Sequence, residues 1–230
     1  MGCARAVFTD RRGGVSTGPF ASLNLATHVG DDGDAVAENR RRAEARTGRV
    51  VALWPRHVHG TDVLTVTRAL PAGREVDGCV TADPALAVVA LGADCAPVAL
   101  GDDAAWAAIH VGWRGLRDGI VAAGVAAVRA VGRGAVRAAI GPCICGRCYE
   151  FGPADLDAVV AAVGPVVASR TTTGAHALDL PAGIRSELRR AGVESVQDLG
   201  VCTSESVAHY SFRREGRTGR QVVLVAGPTP

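Results

Sequence analysis

Three residues in separate segments of the chain carry side chains that bind soft or borderline metal ions. His59, Cys95 and His110 each stand beside residues that favour tight turns, and each is predicted at a junction between a strand and a turn. Their spacing does not match a zinc ribbon, and a single histidine or cysteine is more often structural than ligating. Three protein ligands, however, leave the fourth tetrahedral position of a zinc ion free for water or substrate. The three residues together therefore predict a catalytic metal site.

Residues next to these predicted ligands are suited to substrate binding. Asp94 precedes Cys95 and could orient a neighbouring group or a substrate hydroxyl, or cap its own backbone turn. Arg114 lies in a Gly-Trp-Arg-Gly segment, where an opening helix and a guanidinium suit a phosphate or other anion. An ordinary loop with a surface arginine is the alternative. His57 is a rival ligand if the segment to His59 is extended, and a surface or capping residue otherwise.

A second group of cysteines lies further along the chain. Cys143, Cys145 and Cys148 have the spacing C-x-C-x₂-C, and Cys202 lies far downstream. A structural zinc site would need a fourth nearby ligand, and the C-x-C spacing is tight for chelation. A buried, apolar role for some of these thiols is favoured over a metal site.

Composition limits the class of protein and the class of chemistry. With 230 residues, 48% of them hydrophobic, the chain is expected to form one domain over residues 1–230. A net charge of +2 with dispersed basic residues does not favour nucleic acid as a partner. All 25 basic residues are arginine, which excludes a Schiff-base lysine and a lysine general base. Anion recognition must then use arginine or backbone N–H groups.

The sequence shows no sign of export or of a membrane. Residues 1–10 contain no long apolar run, and no segment approaches the roughly 18 apolar residues that cross a bilayer. Seven cysteines without an export signal are better interpreted as thiols or ligands than as disulfides. We expect a cytoplasmic protein with no membrane partner.

Strand and helix patterns alternate along the chain without a linker. After a loop-like segment over 8–30, the patterns predict helices over 34–47, 116–131, 153–163 and 180–191. They predict strands over 50–54, 63–66, 86–91, 98–100, 106–110, 135–140 and 222–226. The fold class is predicted as α/β or α+β.

Several motifs occur in the order seen in one protein family. They are RRGGVS (11–16), SLNL (22–25), HVGDD (28–32), NR (39–40), VHG (58–60), DGCVT (77–81), ADCAP (93–97), HVGWRG (110–115), IGPCI (140–144), YE (149–150) and CT (202–203). The chain resembles, over about residues 8–219, bacterial members of the multicopper polyphenol oxidoreductase (laccase-domain) family. Its members are now regarded as purine nucleoside phosphorylases with adenosine deaminase activity.

The resemblance implies a fold and a metal site. The fold is a single-domain α+β (mixed α/β) sandwich similar to that of cytotoxic-necrotizing-factor-like cysteine hydrolases. A His, Cys, His zinc site of the family maps onto His59, Cys95 and His110, with copper as a possible alternative metal. The chain departs from the family at His57, where glutamine is usual, which leaves substrate or metal selectivity open.

The implied substrates are purine nucleosides and inorganic phosphate, and no protein partner is implied. Zinc would lower the pKa of a bound water toward about 7 for deamination. Phosphorolysis needs groups that hold the anion and stabilise the departing base. Arg11, Arg40 and Arg114 are the candidates for anion contact, and Asn24 for contact with sugar or base. The alternative for Arg11 and Asn24 is stabilisation of the N-terminal loop.

Three other functions remain open at this point. In a cysteine hydrolase, Cys95 would be the nucleophile and His110 its base. Copper-dependent phenol oxidation is disfavoured, because six histidines in total are too few for a multicopper cluster. A metal-stabilised binding module predicts four closed ligands and no turnover. The metal content of the protein and an open coordination position on the metal would distinguish these functions.

Overall fold

The computed structural model describes residues 4–228, and two large β-sheets form the centre of the fold. The strands are β1 (Arg5–Phe8), β2 (Val50–Val51), β3 (Val63–Thr65), β4 (Gly78–Thr81), β5 (Leu86–Gly92), β6 (Ala96–Gly101), β7 (Trp106–Val111), β8 (Arg137–Ile140), β9 (Ala168–Arg170), β10 (His176–Leu178), β11 (Ser195–Asp198) and β12 (Gln221–Ala226). One sheet has the order β1-β12-β5-β2, a second has the order β11-β8-β6-β7-β4-β3, and β9 and β10 form a small hairpin sheet.

The helices lie close to the predicted segments, with one break. They are α1 (Gly33–Ala45), α2 (Trp113–Asp118), α3 (Ile120–Val131), α4 (Pro153–Val163), α5 (Leu180–Arg190) and the single turn α6 (Phe212–Glu215). The prediction of a single helix over 116–131 was wrong, because Gly119 has a φ of 102° and separates α2 from α3. A left-handed residue ends a helix, and glycine adopts that conformation without steric cost.

The two large sheets pack face to face, and helices cover their outer faces. Alternate residues of β5 point in opposite directions, so Val88 packs between the sheets while Val89 packs on the side of α1. On the other outer face, Ile109 of β7 packs with Val125 of α3 and Ile184 of α5. The layers are therefore helix, sheet, sheet, helix, which confirms the predicted mixed α/β class. The likeness to the cysteine hydrolase fold stays a prediction.

This architecture places the ends of central strands at the candidate site. Strand β7 pairs with both β4 and β6, so the residues that flank these three strands lie near one another. Within residues 4–228, no disulfide joins the cysteines. In the same residues, every helix is too short or too polar to cross a membrane.

Candidate metal and substrate site

Cys95 lies in the tight connection between β5 and β6. The connection requires an unusual backbone, because Asp94 has a φ of 94° and a Cβ on Gly92 would lie 2.5 Å from the Cys95 carbonyl oxygen. The Asp94 carboxylate accepts hydrogen bonds from the Thr203 hydroxyl at 2.6 Å and from the Arg213 backbone N–H at 2.7 Å. Asp94 thus orients a protein hydroxyl and fixes the turn that presents the Cys95 thiol.

His110 lies on β7 and contacts a buried carboxylate whose role was not predicted from the sequence. Its Nδ1 lies 2.9 Å from Oδ1 of Asp77, which directly precedes β4 and has no exposed side-chain area. Hydrogen bonds from His110 and from backbone N–H groups outweigh the effect of burial and lower the pKa of Asp77 to about 2. An ionised Asp77 accepts the Nδ1 proton, so Nε2 of His110 is the atom free to bind a metal.

The same carboxylate holds the loop that carries His59. Asp77 accepts the backbone N–H groups of His59 at 3.0 Å and Gly60 at 2.6 Å. His59 itself has a φ of 62°, a left-handed conformation that is uncommon for a residue with a side chain. One carboxylate therefore positions both histidines.

The structure brings the three predicted ligands together. One ligand atom from each of His59, Cys95 and His110 lies within 4.8 Å of the others, and Nε2 of His59 is 3.7 Å from Sγ of Cys95. Zinc bonds of about 2.0–2.3 Å at tetrahedral angles separate a nitrogen and a sulfur ligand by about 3.6 Å. Gly112 allows this approach, because a Cβ there would lie 2.6 Å from Cδ2 of His59. The donor set and its spacing fit a zinc ion with one open position.

The electrostatics of the group favour a bound cation. Burial disfavours the Cys95 thiolate, but the charge and hydrogen bond of His110 and the contact with His59 lower the pKa of Cys95 to about 6. Burial likewise opposes the imidazolium, but Cys95 and Asp77 raise the pKa of His110 to about 9. Without a metal, the two side chains form a thiolate–imidazolium pair. A metal ion bound here would replace the Nε2 proton of His110, while the Nδ1 proton stays on the hydrogen bond to Asp77.

His57 is placed where it cannot easily act as a ligand. Its ring stacks on that of His110 with centroids 4.4 Å apart. Its Nδ1 lies 3.0 Å from the Val76 carbonyl oxygen, and its Nε2 accepts the Leu91 backbone N–H at 3.0 Å. Burial and the neighbouring His110 hold the pKa of His57 well below its usual value, so the ring is neutral. Both nitrogens are thus occupied by backbone groups, which opposes the rival-ligand interpretation.

A cavity of about 370 Å³ opens above the three ligands. This size is within the range of pockets for small molecules. Its walls include three aromatic side chains, those of Trp113, Tyr149 and Phe212. They also include three cationic side chains, those of Arg114, Arg213 and Arg220. Among residues 4–228, no carboxylate forms an ion pair with these three arginines. The cavity therefore combines apolar surface with positive charge that is available to an anionic ligand.

Two of the predicted anion-binding arginines lie outside this lining. Arg11 pairs with Glu215 at 2.7 Å and stacks on the ring of Tyr210. Arg40 stacks over Trp54 and donates from Nε to the Leu25 carbonyl oxygen at 3.0 Å. Both guanidinium groups are thus committed to partners within the protein, and of the three predicted arginines only Arg114 lines the cavity.

Asn24 is also placed in the scaffold and not in the cavity wall. Its side chain is fully buried and its Oδ1 accepts the backbone N–H groups of Ala26 at 3.1 Å and Arg220 at 2.9 Å. Its Nδ2 donates to Asp31 at 2.8 Å. These contacts agree with the alternative interpretation, in which Asn24 stabilises the N-terminal loop. By holding the Arg220 backbone, Asn24 also supports one wall of the cavity.

Comparison with known proteins gives the family. A family model described as a multi-copper polyphenol oxidoreductase laccase matches residues 5–227. The chain belongs to this family. The resemblance inferred from the motifs is thereby confirmed.

Relatives in this family carry a name that describes an activity. A purine nucleoside phosphorylase of Streptomyces coelicolor is 45% identical over 226 residues, which cover 93% of this chain and 91% of that protein. A purine nucleoside phosphorylase of Mycobacterium tuberculosis is 42% identical over 96% of this chain and 91% of that protein. The purine nucleoside phosphorylase YfiH of Shigella flexneri is 34% identical over 96% and 92%.

Solved structures share the fold. The crystal structure of a Neisseria meningitidis protein matches with a TM-score of 0.90 at 33% identity, over 99% of this chain and 95% of that chain. YlmD from Geobacillus stearothermophilus matches with a TM-score of 0.87 at 31% identity, over 99% and 93%. The mixed α/β architecture is therefore common to these relatives.

Proposed function

We propose that this family member is a zinc-dependent purine nucleoside phosphorylase that also deaminates adenosine. The observation that carries the proposal is the convergence of His59, Cys95 and His110 at the floor of a cavity that has aromatic and cationic walls. The names of the relatives support the first activity. We infer the metal from the donor set, and the second activity from the donor set together with the resemblance to the family.

The cavity supplies the groups that phosphorolysis needs. Phosphate attacks the anomeric carbon of the ribose as the bond to the purine nitrogen breaks, which gives ribose 1-phosphate and the free base. Arg114, Arg213 and Arg220 are placed to bind the phosphate, because charge-assisted hydrogen bonds from guanidinium groups to oxyanions are strong. Arg220 is the best placed of the three, since it is partly buried whereas Arg114 and Arg213 are exposed.

Aromatic residues of the same cavity are suited to the purine ring. Trp113 and Tyr149 each lie near Phe151, in edge-to-face contacts at 5.3 and 5.2 Å, which fixes their ring planes. Phe212 is 55% exposed and forms an apolar edge of the cavity. These rings offer flat apolar surface to the base while the arginines attract the phosphate.

The three ligands and their carboxylate provide the reactive centre. His59, Cys95 and His110 would hold the zinc, and Asp77 would fix the His110 tautomer and the His59 loop. When bound there, zinc supplies a Lewis acid that polarises the substrate or activates water. Deamination replaces the adenosine amino group with the oxygen of water and releases ammonia. The groups of the cavity wall would orient the nucleoside for both reactions.

The proposal is tested by product analysis together with metal analysis. Purified protein is incubated with adenosine, with and without inorganic phosphate, and adenine, inosine and hypoxanthine are separated by chromatography. We expect adenine and ribose 1-phosphate only with phosphate, inosine in both conditions, and bound zinc in excess of copper. Cys95→Ala should lose both activities. Unchanged product formation by Cys95→Ala would contradict the proposed site.

A cysteine hydrolase is the second candidate, and one feature favours it. Cys95, His110 and Asp77 resemble a nucleophile, base and orienting carboxylate, with the thiol already ionised near neutral pH. Bound zinc would occupy the thiolate and block attack on an amide. The hydrolase therefore requires metal-free protein, and inhibition of a hydrolytic activity by added zinc would favour it.

A further inference from the structure

A second cluster of metal-binding side chains lies where two parallel strands end. Strands β8 and β11 pair in parallel, so the segments that follow them leave the sheet at the same edge. The Cys145–Cys148 turn follows β8, and the segment from Cys202 to Glu205 follows β11. A parallel bridge between Cys143 and Cys202 holds the two segments side by side. Residues far apart in sequence thus become neighbours through strand pairing.

The two segments present the same ligand spacing. Cys145 and Cys148 are separated by two residues, and so are Cys202 and Glu205. Each pair is closed by a turn, with hydrogen bonds from the Cys148 N–H to the Cys145 carbonyl oxygen at 3.0 Å and from the Ser206 N–H to the Cys202 carbonyl oxygen at 3.0 Å. A separation of two residues within a tight turn is typical of structural zinc sites.

The distances in the cluster suit tetrahedral coordination. One atom from each of Cys145, Cys148, Cys202 and Glu205 lies within 4.8 Å of the others. Oε1 of Glu205 is 3.5 Å from Sγ of Cys148 and 3.9 Å from Sγ of Cys145. Zinc bonds to sulfur of about 2.3 Å and to oxygen of about 2.0–2.2 Å give a separation of about 3.6 Å between such ligands. Small movements of these side chains would therefore bring all four ligand atoms to bonding distance of one ion.

Neighbouring groups already provide outer support for such a site. The Cys145 backbone N–H points to Sγ of Cys202 at 3.3 Å, a contact that stabilises a thiolate. Arg147 pairs with Glu205 at 3.1 Å and offsets part of the negative charge of three thiolates and a carboxylate. Cys143 is excluded, because its side chain is buried in the hydrophobic core.

We propose that Cys145, Cys148, Cys202 and Glu205 form a second, closed zinc site that acts as a structural clamp. The clamp supports the cavity at two points. Tyr149 of the cavity wall directly follows Cys148, and Thr203, which lies within the clamp, donates the hydrogen bond that fixes Asp94 beside Cys95. The β8–β11 pair holds the two loops together only where they leave the sheet. The metal site would join them further along.

The test separates this site from the catalytic one by working in a Cys95→Ala background. Cobalt is loaded into the metal-free protein, and the sulfur-to-cobalt charge-transfer absorption is measured. This background lacks the one thiolate of the catalytic site, so we expect the absorption to persist there. The protein that keeps Cys95 should show roughly four times the absorption of a single-thiolate site, because three thiolates of the second site and the Cys95 thiolate all contribute. Zinc should abolish the absorption by displacement.

Two variants and one control locate the ligands. Cys202→Ala should lose most of the absorption, and Glu205→Gln should weaken zinc binding by at least about tenfold. Glu205 is exposed, so Glu205→Gln should still fold if Cys202→Ala does not. Arg147→Gln breaks the same ion pair without removing a ligand, and its zinc affinity should stay within about threefold of the parent.

Three results would overturn the proposal. The first is a Cys95→Ala protein that shows no thiolate–cobalt absorption and retains no zinc after gel filtration. The second is equal loss of zinc affinity in Glu205→Gln and Arg147→Gln, which would assign the effect to the ion pair. The third is a disulfide between two of the three cysteines in freshly purified protein, detected as missing reactive thiols after denaturation.

Discussion

Replacement of Asp77 by asparagine tests how the candidate site holds its two histidines. Oδ1 of Asp77 accepts hydrogen bonds from Nδ1 of His110 and the His59 backbone N–H, and Oδ2 accepts them from the backbone N–H groups of Val58 and Gly60. An asparagine amide has one oxygen, so it can satisfy the donors at one carboxylate position only. The other two backbone or ring donors would face an NH₂ group.

The expected loss follows from these contacts. Each buried donor without an acceptor costs about 1–3 kcal/mol, so two predict a decrease of about 2–6 kcal/mol in the free energy of unfolding. If the NH₂ group faces His110, the imidazole must turn its proton to Nε2, the atom assigned to the metal. Loss of such a supporting contact weakens metal binding about 10–100-fold.

The assays are zinc titration against a competing chelator and denaturant unfolding of the metal-free protein. Asp118→Asn is the matched control, because Asp118 is a partly exposed carboxylate whose partner is Arg117 at the surface. Its zinc affinity should be unchanged. Zinc affinity of Asp77→Asn within twofold of the parent protein would refute the role given to Asp77.

The remaining predictions concern pH, one close contact and two cavity residues. The folded-state pKa of Asp77 is lowered from 3.8 to about 2, so its contribution to stability is complete above about pH 4 and is lost as pH falls toward 2; acid unfolding of Asp77→Asn should lack this component. Gly112→Ala places a Cβ 2.6 Å from Cδ2 of His59 and should weaken zinc binding at least about tenfold, whereas Gly33→Ala, which meets nothing within 4 Å, should not. Arg220→Gln should raise the KM for phosphate about tenfold and leave the rate of deamination within about twofold, as measured by initial rates; equal effects on both reactions would contradict its phosphate role. His57→Gln should keep zinc affinity and unfolding free energy within about 1 kcal/mol, because an amide can donate and accept as the neutral ring does. His57→Leu leaves the Val76 carbonyl oxygen and the Leu91 N–H without a partner, so its free energy of unfolding should fall by about 2–6 kcal/mol in chemical denaturation.

The part of the site that sequence could predict depends on local signals. The segments around Cys95 and His110 combine apolar strands with turn residues, and both lie at strand ends in the structure. The helices α1, α4 and α5 follow from periodicity and end signals. The fold class follows from the same alternation of elements.

The missing parts depend on strand pairing between distant segments. The role of Asp77 needs β4 beside β7, and the four residues of β4, Gly78–Thr81, are too short a run to be recognised. Glu205 becomes a neighbour of the cysteine turn only because β11 pairs with β8, and Ser195–Asp198 carries a single apolar residue. Short or polar strands give little periodic signal, so the contacts that they create cannot be derived from local pattern.

Two of the three arginines in the cavity wall were not predicted from the sequence, for a related reason. Arg213 and Arg220 belong to the C-terminal region and reach the site through the turn α6 and the start of β12. In a chain whose 25 basic residues are all arginine, composition gives no means to single these two out. Their common feature, the absence of a carboxylate partner among residues 4–228, is a property of the folded chain alone.

The most direct test of the central claim is an anomalous diffraction map recorded at the zinc edge from crystals of the protein as purified. We expect a peak within about 2.0–2.3 Å of Nε2 of His59, Sγ of Cys95 and Nε2 of His110, with a fourth position that no protein atom fills. A map without a peak at this position, or a metal there enclosed by four protein ligands, would contradict the claim.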